Sequence, residues 1–146
     1  MKGICKMLLF AMAMICMQFG NAQTVFGKWK TIDDRNGQPK AIIKVYKEGN
    51  KMQGVVQKIL EEGRENAKCV KCEGELKDKA IVGMKIIEDV EEEGDGVWKG
   101  KTLFDPEQAM TFRCKIWLNP NNPNELMVRG YLAFIYRTQT WLRVLE

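Results

Sequence analysis

The chain has 146 residues, 45% of them hydrophobic, with 23 Lys and Arg against 19 Asp and Glu for a formal net charge of +4. It contains neither histidine nor serine. That excludes Ser-His-Asp hydrolysis and removes the commonest general base and the commonest zinc ligand. Charges of both signs alternate along the sequence, so nothing points to a nucleic-acid surface, which needs a clustered basic excess.

At the amino end, Lys2 and Lys6 precede an apolar run from Met7 to Met17, and Gly20-Asn21-Ala22 supplies a small-x-small exit. A charged start, an apolar stretch and small residues at the exit are the pattern of a secretory signal peptide over 1–22, cleaved after Ala22. The apolar run falls short of the roughly 20 residues that cross a bilayer, so no transmembrane anchor is expected after cleavage. A lipid anchor on Cys16 is disfavoured, because Ile15 stands where a small residue is required. Residues 23–146 are then expected to form one exported domain, periplasmic or secreted.

Taken in order, 29–32, 41–46, 52–59, 81–87, 97–104, 110–118, 125–134 and 137–145 read as β-strands, rich in Val, Ile, Trp, Tyr, Phe and Thr. Turn residues separate them at Asn36-Gly37, Gly49-Asn50, Gly94-Asp95-Gly96 and Asn119-Pro120-Asn121-Asn122-Pro123. Glu91-Glu92-Glu93 reads as a solvated hairpin tip beside Gly94. The stretch 61–79 has no period-two apolar face and reads as a long crossing loop, with a helical turn around 61–66. About eight strands on hairpin-length links predict an all-β fold, a single antiparallel up-and-down barrel with one long crossing loop.

Alternation assigns faces on two of the strands. Met110, Phe112, Cys114, Ile116 and Leu118 share one side of the sixth strand, and Ala41, Ile43 and Val45 share one side of the second. On the last two strands both faces carry apolar residues. The sequence leaves open whether Arg129, Tyr131, Gln139 and Trp141 line the lumen, where they would converge on one polar patch as candidate ligand-binding residues for an anionic head.

Other residues carry local chemistry. Cys69 and Cys72 are close enough to form a disulfide loop in an exported protein; reactive thiols activated by Lys68 and Lys71 are the alternative. No metal site is expected, since a zinc centre would need ligands the chain lacks, and no cofactor is implied. Cys114 reads as a buried thiol. Asp105-Pro106 reads as an Asx turn, with a ligand-gating or catalytic carboxylate as the less favoured role. Gly27-Lys28-Trp29 on the first strand, answered by Arg143 on the last, matches the way lipocalin-type barrels close one end: the Trp plugs the floor and the Arg lies across its ring.

In chain order, Gly27-Lys28-Trp29, Lys68-Cys69 with Cys72, Trp98-Lys99-Gly100, Asp105-Pro106, Val128-Arg129-Gly130-Tyr131 and Arg137-Thr138-Gln139-Thr140-Trp141 resemble the exported bacterial proteins grouped as domain of unknown function 2147. The resemblance spans essentially all of 23–146 and implies a lipocalin-like barrel outside the cytoplasm with no assigned reaction. The chain departs from the usual pattern at Gln108-Ala109-Met110-Thr111-Phe112 and at Ala133-Phe134-Ile135-Tyr136, where a Gly is more typical before the final Arg. Three function classes follow. The favoured one is a module binding a small hydrophobic or amphipathic molecule, with a carboxylate as candidate head group. The alternative is a filled-barrel envelope structural or interaction protein. Least favoured is an enzyme working through Asp105, Arg129 and Tyr131. Nothing in the sequence fixes an oligomeric state.

Overall fold

The computed structural model describes residues 23–145; the signal peptide expected over 1–22 lies outside the described residues. Eight strands close into an antiparallel up-and-down barrel in sequence order: β1 (Gly27–Ile32), β2 (Pro39–Glu48), β3 (Lys51–Ile59), β4 (Lys85–Gly94), β5 (Val97–Asp105), β6 (Met110–Asn119), β7 (Asn122–Leu132) and β8 (Ile135–Arg143). Inward positions alternate with outward ones along each strand. Ile43 and Val45 on β2, Met52 and Val56 on β3, and Cys114 and Ile116 on β6 are buried in the shared core.

The up-and-down order puts the tight β2–β3, β4–β5 and β6–β7 turns at one end with both chain termini. The 33–38 loop, the 60–84 crossing segment and the β5–β6 and β7–β8 turns gather at the other end. The terminal end is shut. Trp29 is fully buried, and the Arg143 guanidinium lies 4.2 Å from its ring centroid. The Trp29 indole donates to the Val25 carbonyl at 2.8 Å, while Arg143 donates to the carbonyls of Thr24 (2.8 Å), Pro123 (3.0 Å) and Phe26 (3.4 Å). Gly27 sits at φ +134°, and a Cβ there would stand 3.5 Å from the Arg143 guanidinium, so a side chain would strain the backbone beside the closure.

Two sequence expectations about the fourth strand are corrected. It covers Lys85–Gly94 rather than 81–87, and Glu91-Glu92-Glu93 lies within it rather than at a hairpin tip. The outer wall is solvated and β4 has basic neighbours, so the acidic run is tolerated there: Lys51 pairs with Glu91 at 3.7 Å and Lys99 with Glu93 at 2.5 Å. Within β4, Glu88 and Asp89 oppose the single residue Gln53, a β-bulge with Asp89 at φ +52°. Buried Gln53 fixes it from both ends of its amide. Its Nε2 donates to Asp89 Oδ1 at 2.8 Å, and its Oε1 accepts from the Asp89 backbone N–H at 3.1 Å. The helical turn expected over 61–66 is a pair of reverse turns instead, closed by Arg64 N–H to Glu61 O (3.1 Å) and Ala67 N–H to Arg64 O (3.0 Å). A 3-10 turn stands later, at Gly74–Leu76.

Trp29→Ala should lower unfolding stability by ~3–5 kcal/mol, the range for losing a core aromatic. Gln53→Leu should lower it by ~1–3 kcal/mol by orphaning the Asp89 amide. Urea denaturation of 23–146 measures both.

Candidate functional site

Above the apolar plug of the closed floor lies a cavity of about 490 Å³ that reaches the loop end of the barrel. Its depth is apolar: Ile43, Val56, Ile86, Phe112, Val128 and Trp141 contribute to the wall. Ile43, Val56, Phe112, Val128 and Trp141 follow from strand parity, each on the inward series of its strand, while Ile86 precedes Ile87, the β4 residue that pairs with Gly54 and Leu103. Gly130, also inward, leaves room; a Cβ there would meet Phe112 and Leu103 only at ordinary contact distance, 3.5–3.6 Å.

One polar group reaches into this depth. The Trp141 indole N–H donates to Gln139 Oε1 at 3.1 Å, which requires that atom to be the amide oxygen. The Gln139 NH₂ hydrogen-bonds to no other group among the described residues, and Gln139 lines the cavity. It is a fixed donor facing the lumen.

The rim is charged but internally matched. Arg35 forks onto Asp33, Nε to Oδ1 at 3.0 Å and a second guanidinium nitrogen to Oδ2 at 2.7 Å. Lys40 reaches Glu107 at 2.5 Å, Arg64 approaches the same carboxylate at 3.6 Å, and Arg137 pairs with Asp34. The Arg35 side chain and backbone N–H hold the Asp33 carboxyl well below the usual carboxylate range, and Asp33 in turn raises Arg35. Each cation here already has a carboxylate, so the rim does not demand an anionic guest.

The crossing segment forms part of this rim. Its strands of chain pair as a small ladder: Cys69 N–H donates to Lys79 O at 2.8 Å and Ile81 N–H to Ala67 O at 3.0 Å. A Cys69–Cys72 disulfide, Cα to Cα 5.3 Å, ties its turn, and Cys69 Sγ rests 3.1 Å from the Pro106 carbonyl oxygen of the β5–β6 turn. Arg64, Ala67 and Ile81 thereby become cavity wall.

The four residues expected to converge do not. Gln139 and Trp141 face the lumen, opposite Val128 and Leu126, whereas Arg129 and Tyr131 stand on the outer wall opposite Thr138 and Tyr136. The cause is the turn. Two residues, Ala133 and Phe134, connect the paired positions Leu132 and Ile135. An even turn length pairs every odd-numbered position with an even-numbered one. Outside, the Arg129 guanidinium stacks on Tyr136 (4.4 Å) and Trp117 (5.2 Å) and donates to Thr138 Oγ1 at 2.8 Å. The catalytic trio fails for the same reason, since Asp105 is on the cavity side. Its Oδ1 accepts the Glu107 and Gln108 backbone N–H groups at 2.9 and 3.4 Å, as an Asx turn requires. Among the described residues no group of three or more Cys, Asp or Glu is arranged to hold a metal ion.

A family model described as "Uncharacterized protein conserved in bacteria (DUF2147)" matches residues 27–143. The chain belongs to the DUF2147 family. Its barrel is similar to a solved Helicobacter pylori protein, HP1028, described as belonging to the lipocalin family. The TM-score is 0.69 at 16% identity, over 82% of each chain. That likeness shows the lipocalin-like fold of this DUF2147 member. Among curated proteins, none matches the chain. The rim pairs were not legible in advance, because they join loops distant in sequence. Gln139 was singled out by its polar neighbourhood and grouped rightly with Trp141 but wrongly with Arg129 and Tyr131.

Burial pushes the Cys114 thiol up to about 12, so it is neutral at pH 7 and unreactive. Folded, unreduced 23–146 should show no reactive thiol to Ellman's reagent, and the unfolded, unreduced chain one. Three thiols on unfolding would mean that Cys69 and Cys72 are reduced. The lowered Asp33 carboxyl makes the rim contribute stability above the usual carboxylate range, and that contribution is lost as pH falls through its depressed folded value. Asp33→Asn should therefore remove stability at neutral pH but little in strong acid, read from thermal melts across pH.

Proposed function

We propose that this protein is an exported binding module that holds one small amphipathic molecule in its barrel. The apolar part would lie against Ile43, Phe112, Val128 and Trp141, with a hydrogen-bond-accepting head at the Gln139 amide. The observation that carries this reading is a 490 Å³ cavity with an apolar depth into which the Gln139 amide nitrogen points, hydrogen-bonded to no group among the described residues. Ligand sites have this character: mostly apolar walls, a few placed polar groups and volumes of about 300–1,000 Å³. The matched rim favours a head group that accepts hydrogen bonds without needing a counter-ion, which replaces the Arg129-based carboxylate site. Export is supported by the 1–22 sequence pattern and by a disulfide, a feature of oxidising compartments.

The test is calorimetric titration of 23–146 with medium-chain fatty alcohols and the corresponding acids. Alcohol and acid should bind at one site with affinities within about tenfold of each other, since the amide serves both. Gly130→Phe, which projects a ring into the cavity, should abolish binding while leaving the thermal midpoint within a few degrees. Gln139→Leu should weaken it by ~1–2 kcal/mol, the value of one buried hydrogen bond. Absence of binding by the whole series, with no molecule co-purifying in native mass spectrometry, would favour a barrel that serves as a structural or interaction module.

A further inference from the structure

Independently of any lumen guest, the outer wall of β6–β8 carries a second feature that stability does not explain. The β7–β8 turn projects Leu132, Phe134, Ile135 and Tyr136 into solvent, with Phe134 91% exposed. Its first residue, Ala133, adopts φ +53°, where glycine is at ease and a Cβ is not. An apolar tip on a strained alanine costs the folded state twice.

Behind the tip the side chains are graded. At about 3.3 Å per residue, Tyr131 and Tyr136 sit about 7 Å back, packed together with ring centroids 5.9 Å apart. Arg113, opposite Tyr131, donates to the Ala133 carbonyl at 3.0 Å and lies over the Tyr131 ring. The backbones of Arg129 and its partner Lys115 lie about 13 Å back by the same rise, both side chains over Trp117, and the Arg129 guanidinium reaches forward to 4.4 Å from the Tyr136 ring. Arg113, Lys115 and Arg129 pair with no carboxylate among the described residues, and the sole acid in β6–β8, Glu125, lies at the closed end.

We propose that this edge docks the barrel onto an anionic lipid surface, with the Leu132–Ile135 tip entering the acyl boundary and the Tyr131–Tyr136 pair at the interface, together with the charged groups of Arg113, Lys115 and Arg129 that meet the phosphates. An apolar tip backed by tyrosines and cations together follows the environments met on leaving a bilayer: acyl chains, then the interface with its headgroups. Its depth matches the about 5–10 Å that interfacial segments enter, and each cation near such a surface adds to the attraction. A narrow tip offers a protein partner little of the roughly 800 Å² per side of a stable interface, which favours a bilayer over a protein. Because Arg137 and Gln139 continue from the tip into the mouth, docking would bring the open end of the barrel to the membrane.

Flotation of 23–146 with vesicles of phosphatidylcholine alone, or containing about one-third phosphatidylglycerol, tests this. The protein should float with the anionic vesicles at low salt, and at least about tenfold less with neutral vesicles or at high salt. Phe134→Ser with Ile135→Ser should reduce anionic flotation at least about tenfold with an unchanged thermal midpoint, since both positions are exposed. Arg113→Gln with Arg129→Gln should do the same and flatten the salt dependence. The proposal is overturned if wild type floats with neither vesicle, or if flotation is indifferent to the tip. It is equally overturned if wild type stays off vesicles but forms a concentration-dependent dimer that the tip variant loses, which would make the tip a contact between copies.

Discussion

The contact on which the rest of the structure depends is the Arg143 guanidinium lying over Trp29. Closing a barrel requires the first and last strands to meet, and here that seam is thin. β1 and β8 share two paired positions, Trp29 with Arg143 and Lys30 with Leu142, whereas β7 and β8 share eight. Backbone bonding alone leaves the seam weak, and the side chains make up the difference. Arg143 ties β8 to the 24–26 segment and to the β6–β7 turn through carbonyls, while Trp29 fills the floor beneath it. Burial lowers the Arg143 pKa through lost solvation, an opposing effect that the stack and the three carbonyls offset. With this end sealed, the long loops, the rim ion pairs and the mouth of the cavity belong to the other end.

The closure was legible because a Gly-x-Trp at one terminus and an Arg at the other are chemically suited to each other at any loop length between them. The β6 stripe was legible because its two faces differ sharply: Phe112, Cys114 and Ile116 against Thr111, Arg113 and Lys115. β7 and β8 were not, since Leu126 and Val128 compete with Met127 and Tyr131, and Trp141 with Leu142. Their facing is decided by the number of residues in one turn, which hydrophobic alternation does not encode. The β4 error has a related origin. Three consecutive glutamates look like a loop, yet a solvated outer wall with Lys51 and Lys99 alongside accepts them, after the Gln53-clamped bulge at Glu88-Asp89.

The parity of that turn also separates two chemistries that the sequence presents as one. Gln139 and Trp141 give the lumen an apolar wall with one hydrogen-bond donor. Arg129 and Tyr131, their sequence neighbours in the hairpin, give the outer wall a cationic, aromatic face. In the roles proposed for them, neither face needs the missing histidine or serine, since packing and hydrogen bonding suffice without proton transfer.

If the sealed floor makes the barrel a vessel entered from the rim, as proposed, the four tryptophans report on it separately. Trp29 is in the floor, Trp98 packs edge-on against Phe26 near it, Trp141 lines the cavity and Trp117 stands on the outer wall. Fluorine NMR of 5-fluorotryptophan-labelled 23–146, titrated with a medium-chain fatty alcohol below its micellar range, resolves these sites. The Trp141 resonance should shift and saturate while Trp29 and Trp117 hold still. Movement of Trp117 without Trp141, or of Trp29 before either, would contradict the account.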